Sequence, residues 1–341
     1  MIDSVNARIL VVGPAWVGDM VMAQALFRRL RVDDAACVID VVAPRWTLPI
    51  VARMPEVRSG IELALGHGEF GFGVRRALGH SLRAGHYSRA IVLPNSWKSA
   101  LVPFFAGIPR RTGYAREARL GLLNDLRPLD KARLKTTVER FVALAGPRGE
   151  TALPAILPPQ LVADAENGAA AAVRLALPDG PAVALMPGAE YGPAKRWPVE
   201  YFTQLARLLG RDGVRSWVFG SPKETVLGEA ITQGSGGAAV NLCGRTGLGD
   251  VVDLVARCRA VVTNDSGLMH VSAAAGVPVV AIYGSSTPDF TPPLTERKAI
   301  HYLRLSCSPC FERECPLGHL DCLRKIAPEV VRESLKTLAD I

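Results

Sequence analysis

The segment at residues 261–284, VVTNDSGLMHVSAAAGVPVVAIYG, constrains the fold more than any other part of the chain. Its β-branched beginning is typical of a buried parallel strand, and the NDSG sequence that follows favours a turn and a helix start. A helix of small residues and a second apolar strand complete a strand–helix–strand unit. The backbone amides of Ser266, Gly267 and Leu268 should then point outward at a helix N-terminus, where α/β proteins bind phosphate. An ordinary βαβ unit with a capped helix explains the same pattern equally well.

The first half of the chain contains a similar unit, with a strand predicted at residues 9–13 and a helix at residues 19–30. Gly13 and Gly18 in the intervening loop have the spacing of a phosphate-binding P-loop. However, Asp19 occupies a position where such a loop needs lysine. Because a carboxylate repels phosphate, we predict that this loop does not bind one.

Asp19 itself has two interpretations. At the first turn of a helix the dipole favours the ionised carboxylate, and such a carboxylate in a cleft can accept a proton from a hydroxyl nucleophile. The alternative is a capping role, which the local sequence favours over catalysis. The residues around Asp19 therefore do not by themselves assign it to a reaction.

Both halves of the chain alternate strands with helices, and a proline-rich segment at residues 147–159 separates them. A chain of 341 residues is also long for a single hydrophobic core. We predict two Rossmann-like, doubly wound α/β domains at residues 1–155 and 156–327, facing each other across a cleft. A terminal helix is predicted at residues 328–341, and packing back on the first domain is one option for it.

The loops of the second half carry groups that suit a nucleotide. Lys195 can neutralise a pyrophosphate, and Glu224 can bind ribose hydroxyls. The sequence contains no Asp-x-Asp triplet, so a diphosphate bridged by a metal ion is not predicted. A lysine and a helix N-terminus can neutralise a diphosphate leaving group instead.

The formal net charge of +8 and the pI near 9.3 favour an anionic partner: a nucleic acid, a nucleotide or an anionic membrane surface. Basic loops in the first half suit a phosphorylated or carboxylated ligand, although each residue taken singly fits a solvated surface charge. Apolar runs stay well short of the roughly 18 residues that span a bilayer, and the N-terminal residues lack the pattern of a secretion signal. These features predict a cytosolic protein.

Four of the seven cysteines cluster near the C-terminus, and a C-x2-C pair begins the cluster: Cys307, Cys310, Cys315 and Cys322. Four thiols could form a closed tetrahedral metal site, and His301 and His319 lie nearby in the sequence. The spacing is not that of a familiar zinc ribbon, and a cytosolic location disfavours permanent disulfides. Reduced structural thiols are preferred, with a structural zinc site and a disulfide as the open alternatives.

Five motifs in a fixed order give the sequence a specific resemblance to a known family. They are LPNSWKSAL at residues 93–101, IPRRTGY at 108–114, GLLND at 121–125, PGAEYGPAKRWP at 187–198 and NDSGLMHVSAAAGVPVVAIYG at 264–284. Together they resemble the bacterial lipopolysaccharide ADP-heptose heptosyltransferases over nearly the whole chain. The resemblance is closest to those members that extend the first heptose of the core.

This resemblance implies a GT-B fold and an inverting, metal-independent glycosyltransferase that requires no cofactor. The implied donor is ADP-L-glycero-β-D-manno-heptose, and the implied acceptor is heptosyl-Kdo2-lipid A, whose first heptose receives the sugar. Because such an acceptor lies in the inner leaflet, the resemblance also implies a cytoplasmic enzyme in peripheral contact with the inner membrane. A nucleic-acid partner is not implied.

The resemblance also assigns roles to individual residues. Asp19 matches the proposed catalytic base, which replaces the capping interpretation, and Lys195 matches the phosphate-binding lysine that acts in catalysis. The implied donor-binding residues are Glu190, Lys195, Glu224, Cys243, Gly244, Asp265, Ser266, Gly267, Leu268 and His270. A structural role is the alternative for His270. The candidates for acceptor binding are Gly18, Asn95, Ser96, Lys98, Arg110, Arg111 and Arg116.

Three other functions stay open at the level of sequence. A sister heptosyltransferase that adds the first or a later heptose would share these motifs. A non-catalytic basic protein would bind nucleic acid or nucleotide with an affinity that falls steeply with salt, but the chain lacks basic motifs interleaved with aromatic residues. An ADP-sugar epimerase on the same fold would catalyse its reaction without an acceptor.

Overall fold

The computed structural model describes residues 7–152, 155–339 and 341. The chain separates into two compact units, with the boundary between Pro159 and Gln160. The prediction that no secretion signal is present falls largely on residues 1–6, which lie outside the described residues. Part of the predicted linker, at residues 153–154, lies outside them as well.

The described part of the first unit contains a parallel sheet with the strand order β3-β2-β1-β4-β5-β6. Its strands are β1 (Arg8–Val12), β2 (Val38–Ala43), β3 (Val57–Glu62), β4 (Arg89–Val92), β5 (Arg110–Tyr114) and β6 (Asp125–Arg127). Its helices are α1 (Val17–Asp33), α2 (Leu48–Val51), α3 (Phe72–Ser81), α4 (Leu101–Phe105) and α5 (Thr137–Val142). In the register, Ile9 of β1 pairs with Ile39 of β2 on one side and Arg89 of β4 on the other.

The second unit repeats this topology, with the order β12-β11-β10-β7-β8-β9 in the ranges that the structure covers. Its strands are β7 (Ala182–Met186), β8 (Arg215–Val218), β9 (Ala239–Asn241), β10 (Ala260–Asn264), β11 (Val279–Ile282) and β12 (Lys298–His301). Its helices are α6 (Ala165–Arg174), α7 (Val199–Arg211), α8 (Thr225–Gly234), α9 (Leu248–Val255), α10 (Gly267–Ala274), α11 (Asp321–Arg324) and α12 (Pro328–Ala339). The predicted Rossmann-like, doubly wound sheets are confirmed in both units.

The central strands are largely apolar because helices cover both faces of each sheet. In β7, AVALM, all five residues are buried, and in β1 the last four of RILVV are buried. The terminal helix α12 adds Val331 and Leu335 to the core of the second unit and packs against α7 and the strands β10, β11 and β12. Among the described helices, none is both long and apolar enough to cross a membrane.

The topology determines where a ligand site can form in each unit. Winding changes direction between β1 and β4 in the first sheet and between β7 and β10 in the second. At such a point the loops that leave the carboxyl ends of the two neighbouring strands diverge and leave a crevice. Asp19 and Asn95 follow β1 and β4, while Lys195 and Asp265 follow β7 and β10. Both groups of predicted residues therefore lie at a switch point.

Candidate active site

The loops after β1 and β4 enclose a cavity of about 370 Å³ in the first unit. Asp19 and Asn95, two of the predicted residues, both line it. The other lining residues are Pro14, Ala15, Trp16, Leu93, Pro94, Tyr114, Leu129, Thr137, Arg140 and Phe141. Aromatic and apolar walls with a few polar groups suit a sugar or another small ligand.

Asp19 lies in the first turn of α1, which begins two residues earlier than the sequence predicts. The N-cap of this helix is Trp16, whose side chain makes no capping hydrogen bond, and Met20 N donates to Trp16 O at 2.9 Å. The half-buried Asp19 carboxylate therefore lies at the positive end of the helix dipole and at the wall of the cavity. Gly18, the predicted neighbour, is buried in the same turn.

The basic residues predicted to bind the acceptor make several contacts within the unit. Arg110 forms an ion pair with Asp125 at 3.1 Å, and Arg111 donates to Leu122 O and Ile108 O, each at 2.6 Å. Lys98 Nζ donates to Gly68 O at 2.7 Å. These side chains hold loops together, so any contact with a ligand would use their remaining N–H groups.

Two further acceptor candidates lie on the surface. Arg116 is exposed in the loop after β5. Ser96 O accepts a hydrogen bond from Ser99 Oγ at 2.5 Å, which shapes the turn after β4. Asn95 Oδ1 accepts a hydrogen bond from the guanidinium group of the buried Arg119 at 3.4 Å, and this contact orients the amide.

In the second unit, Lys195 and Asp265 come together although 70 residues separate them. Lys195 Nζ lies 2.5 Å from Asp265 Oδ2, and the same carboxylate oxygen accepts from Ser286 Oγ at 2.5 Å. Asp265 is buried, whereas the Lys195 side chain keeps 18% exposure. The ammonium group is thus held in place by the carboxylate and still presents donors outward.

A buried asparagine connects the two loops that carry this pair. Asn264 Oδ1 accepts from Trp197 N at 2.9 Å, and Asn264 Nδ2 donates to Pro187 O at 2.8 Å. Trp197 is fully buried, and its Nε1 donates to Ile326 O at 2.9 Å. The KRWP and NDSG sequences are therefore fastened to each other, which fixes Lys195 relative to the start of α10.

Helix α10 begins directly after Asp265, with Ser266 as its N-cap. The first amides of a helix have no partner within it, so Gly267 and Leu268 can donate to an anion. Ser266, Gly267 and Leu268 are half-buried and directly follow Asp265 of the ion pair in the sequence. A diphosphate placed here would meet an ammonium group and a helix N-terminus together.

His270 lies one turn further into α10 and is buried. Burial lowers its pKa to about 4, although the Asp265 carboxylate acts in the opposite direction. The imidazole is therefore neutral near pH 7 and contributes no positive charge to the site.

The His270→Gln variant is expected to lose part of the pH dependence of stability. Between pH 6.5 and pH 4 the unfolded chain binds a proton that folded His270 does not, so the free energy of unfolding falls by about 3 kcal/mol as the pH is lowered. Urea unfolding at several pH values across this range should show that the free energy of unfolding falls less steeply with decreasing pH in the variant than in wild type. The exposed His86→Asn change serves as the control, and identical pH profiles for His270→Gln and wild type would refute the assignment.

Glu224 lies against two glycines at the carboxyl edge of the second sheet. A Cβ on Gly188 would lie 1.6 Å from Glu224 Oε1, and a Cβ on Gly220 would lie 2.9 Å from Glu224 Oε2 and Cys243 Sγ. Ser221 N donates to Glu224 Oε2 at 2.7 Å. Burial raises the pKa of the Cys243 thiol to about 12, so this residue is a neutral wall of the same cluster. Gly244 continues the wall with φ +73°.

Replacing Gly188 with alanine is expected to displace the Glu224 carboxylate. If Glu224 binds a ribose hydroxyl, KM for the nucleotide sugar rises about tenfold while kcat changes less than about threefold. Steady-state kinetics and calorimetry with ADP measure this split. Gly73→Ala, where an added Cβ meets nothing within 4 Å, is the matched control. Unchanged nucleotide affinity in Gly188→Ala would remove Glu224 from the site.

The predicted Glu190 and the C-terminal cysteines contact neither the Lys195–Asp265 pair nor Glu224 in the hydrogen bonds and ion pairs described above. Glu190 is exposed and pairs with the exposed Lys223 at 3.1 Å. The C-terminal cysteines are free thiols, and the described residues include no group of three or more His, Cys, Asp or Glu arranged to hold a metal ion. Burial and the neighbouring thiols Cys307, Cys315 and Cys310 raise the pKa of Cys322 to about 11.

Several residues at the two sites have no signal in the sequence. Trp16, the N-cap of α1, and Arg140 of α5 both line the cavity of the first unit. Ser286 orients Asp265 from the loop after β11. The polar GSST sequence at residues 284–287 is the feature that could have marked this loop as part of a site. Asn264 could have been recognised as part of NDSG, but its partners could not.

Comparisons with known proteins agree with this geometry. Residues 75–321 match glycosyltransferase family 9 (heptosyltransferase). The chain belongs to glycosyltransferase family 9. The resemblance to heptosyltransferases stated from the motifs is therefore confirmed.

Individual family 9 proteins are similar to the chain over almost its whole length. Lipopolysaccharide heptosyltransferase 2 of Escherichia coli K12 is 45% identical over 97% of this chain and 98% of its own length. Lipooligosaccharide heptosyltransferase 2 of Haemophilus influenzae is 43% identical over 97% and 99%. The solved structure of E. coli ADP-heptose lps heptosyltransferase II superposes with a TM-score of 0.88 and 44% identity, covering 97% of this chain and 98% of that one. The predicted GT-B fold is confirmed by this match.

Proposed function

We propose that this family 9 protein transfers L-glycero-D-manno-heptose from ADP-heptose to the first heptose of the Kdo–lipid A inner core. The observation that carries the proposal is 45% identity to the E. coli heptosyltransferase 2 across 97% of the chain. Two site clusters at the switch points of two Rossmann-like sheets support it, because one suits a sugar acceptor and the other a nucleotide diphosphate.

Asp19 acts as the general base. It accepts the proton of the attacking acceptor hydroxyl, and that oxygen displaces ADP at the anomeric carbon. The transition state has oxocarbenium character, so a weak base is sufficient when proton transfer is late. A single displacement inverts the anomeric centre, and a β-linked donor gives an α linkage.

Lys195 and the start of α10 bind the diphosphate. Negative charge grows on the leaving ADP, and the ammonium group with the amides of Gly267 and Leu268 stabilises it more strongly in the transition state than in the ground state. Asp265 and Ser286 position the ammonium group. Glu224, between Gly188 and Gly220, binds the ribose hydroxyls. Cys243 and Gly244 line the space for the adenine.

The acceptor is anionic and lipid-anchored, and the protein works at the cytoplasmic face of the inner membrane in peripheral contact with it. The net charge of +8 supports this location because a basic protein is attracted to an anionic lipid surface. The exposed Arg116 and the outward N–H groups of Lys98, Arg110 and Arg111 suit phosphate and Kdo carboxylates of the acceptor.

An acceptor series tests the proposal. The purified chain is incubated with ADP-heptose and, separately, with Kdo2-lipid A, heptosyl-Kdo2-lipid A and a diheptosyl acceptor, and the products are analysed by mass spectrometry. We expect transfer to the monoheptosyl acceptor in preference to the other two by at least about a hundredfold in kcat/KM. Preferred transfer to Kdo2-lipid A would instead assign the chain to the first heptose addition.

A further inference from the structure

Five aromatic side chains form a continuous cluster on the first unit, here named the aromatic patch: Phe70, Phe72, Trp97, Phe104 and Phe105. The Phe70 ring lies 5.1 Å from Trp97 and 6.0 Å from Phe72, measured between ring centroids. Phe105 continues the chain, at 5.6 Å from Phe72 and 5.5 Å from Phe104. Three separate segments contribute to the patch: the start of α3, the loop after β4 and the end of α4.

Four of the five rings face solvent. Phe70, Phe72, Trp97 and Phe104 expose 44%, 45%, 40% and 41% of their surface. Phenylalanine is usually buried in soluble proteins, and contiguous exposed apolar surface marks a site of interaction. The patch therefore needs a partner that covers it for at least part of the time.

The backbone keeps two of these rings outside the core. Gly71, between Phe70 and Phe72, has φ +51°, and a Cβ there would lie 2.2 Å from Leu65 Cδ2. This left-handed residue is also the N-cap of α3. The sequence thus supplies the one residue type that lets the chain turn there, which indicates a built surface rather than a loose loop.

Basic side chains surround the patch. The Arg111 guanidinium lies 5.6 Å from the centre of the Phe104 ring, and Arg83 Nε donates to Phe105 O at 3.0 Å. Arg76 is exposed on α3, and Lys98 is adjacent to Trp97. Two carboxylates also lie at the patch: Glu69 precedes Phe70, and Glu117 Oε2 accepts from Trp97 N at 2.6 Å. The basic side chains outnumber them.

Exposed aromatic rings flanked by a majority of positive side chains are complementary to an anionic lipid surface. The rings suit the interface between head groups and acyl chains, and the basic groups are attracted to the head groups. The partner chemistry is therefore that of a bilayer.

The patch is also next to the cavity that contains Asp19. Trp97 of the patch and Asn95 of the cavity share the loop after β4. On the other side, the cavity residue Trp16 contacts His67, in the loop that leads to Phe70, with ring centroids 5.3 Å apart. A surface seated on the patch would present its head groups beside the cavity.

We propose that the aromatic patch docks the first unit on the anionic bilayer that carries the acceptor. This inference rests on the proposed function, which places the protein in peripheral contact with the membrane, and it names the surface that makes the contact. Docking orients the cavity toward a substrate confined to the membrane plane and raises its local concentration.

Co-sedimentation of the full chain with lipid vesicles tests the proposal. Vesicles of phosphatidylcholine alone are compared with vesicles containing about one-third phosphatidylglycerol. Wild type should bind the anionic vesicles at least about tenfold more tightly, with an affinity that falls as salt is added. The Phe70→Ser/Phe104→Ser variant should lose about tenfold or more, because apolar surface no longer enters the interface.

Separate variants test whether binding depends on positive charge at the patch and on the location of the changed residue. Arg76→Glu should weaken binding to anionic vesicles only, by about fivefold to tenfold. Val173→Ser and Arg211→Glu, exposed changes of the same kinds in the second unit, should bind as wild type. Circular dichroism and thermal unfolding of each variant verify the fold. Wild type that stays with neither vesicle, or patch variants that bind like wild type, would overturn the proposal.

Activity distinguishes this proposal from the proposed function. With a delipidated, water-soluble heptosyl-Kdo2 acceptor, Phe70→Ser/Phe104→Ser should turn over within about twofold of wild type, and with acceptor in vesicles it should be slower by about tenfold. Equal loss on both acceptors would place the patch in the sugar site rather than on the bilayer. Vesicle binding without product from either acceptor would instead refute heptosyl transfer and leave docking intact.

Discussion

The Asp19→Asn variant should turn over about a hundredfold to ten-thousandfold more slowly than wild type while binding ADP with unchanged affinity. Asparagine keeps the shape of the side chain at the first turn of α1, but it cannot accept the proton of the acceptor hydroxyl. Initial rates with ADP-heptose and heptosyl-Kdo2-lipid A measure the loss, and calorimetry with ADP measures the affinity.

Asp33→Asn provides the matched control for this experiment. Asp33 lies at the other end of the same helix, where it pairs with Arg29 on the surface, so its loss should change activity less than about twofold. A fully active Asp19→Asn enzyme would show that another group accepts the proton. Loss of ADP binding in the same variant would indicate that the change disturbs the fold rather than the chemistry.

Lys195→Met should lower kcat/KM by a factor of about a hundred to a thousand. The methionine keeps much of the length of the side chain and removes the charge that offsets the leaving diphosphate. Both kinetic constants should change. KM for ADP-heptose rises because the ground-state diphosphate is bound less well, and kcat falls because the charge that develops on the leaving group is no longer stabilised.

The same substitution removes the cation beside the buried Asp265 carboxylate and leaves the hydrogen bond from Ser286, so it should also reduce stability, by about 3 kcal/mol. Lys195→Met/Asp265→Asn should recover most of that stability without recovering activity. Lys325→Met, an exposed lysine in the same unit, is the control for loss of one positive charge. Recovery of turnover in the double variant would mean that the lysine serves the fold and not the diphosphate.

The strands and the positions of both sites were accessible from sequence for a physical reason. Buried parallel strands contain continuous runs of apolar residues, and β7 and the first three residues of β10 could be recognised by that property. Since ligands bind beyond the carboxyl ends of such strands, the loops that carry Lys195 and Asp265 could be placed in one crevice. The ion pair between them needs the strand order β10-β7, which no local pattern encodes.

Charge in the sequence does not show which basic residues already have partners within the fold. Arg110 and Arg111 are predicted to bind an anionic acceptor, and in the fold they also contact Asp125 and two backbone carbonyls. Burial works against ionisation of Asp125, but hydrogen bonds from Arg127 and Thr112 hold its pKa well below the usual range. Such long-range pairs form only when β5 and β6 lie side by side, so a sequence cannot distinguish them from surface charges.

Asp19 illustrates the opposite case. Local sequence favoured a cap, because an acidic residue near a helix start usually has that role. The observed N-cap is Trp16, and the position of Asp19 on the wall of the cavity depends on β4 and α5, which are distant in the sequence. Only the resemblance of several motifs, taken together, pointed to catalysis.

The central claim is that one carboxylate in the first unit and one cationic cradle in the second serve a single displacement. The configuration of the new glycosidic bond tests it most directly. The product that wild type makes from ADP-L-glycero-β-D-manno-heptose is purified. NMR spectroscopy then measures the one-bond coupling constant between C1 and H1 of the transferred heptose, which distinguishes the α from the β anomer. An α linkage is the predicted result, and a β linkage would contradict it, because retention requires a second displacement and a second nucleophile.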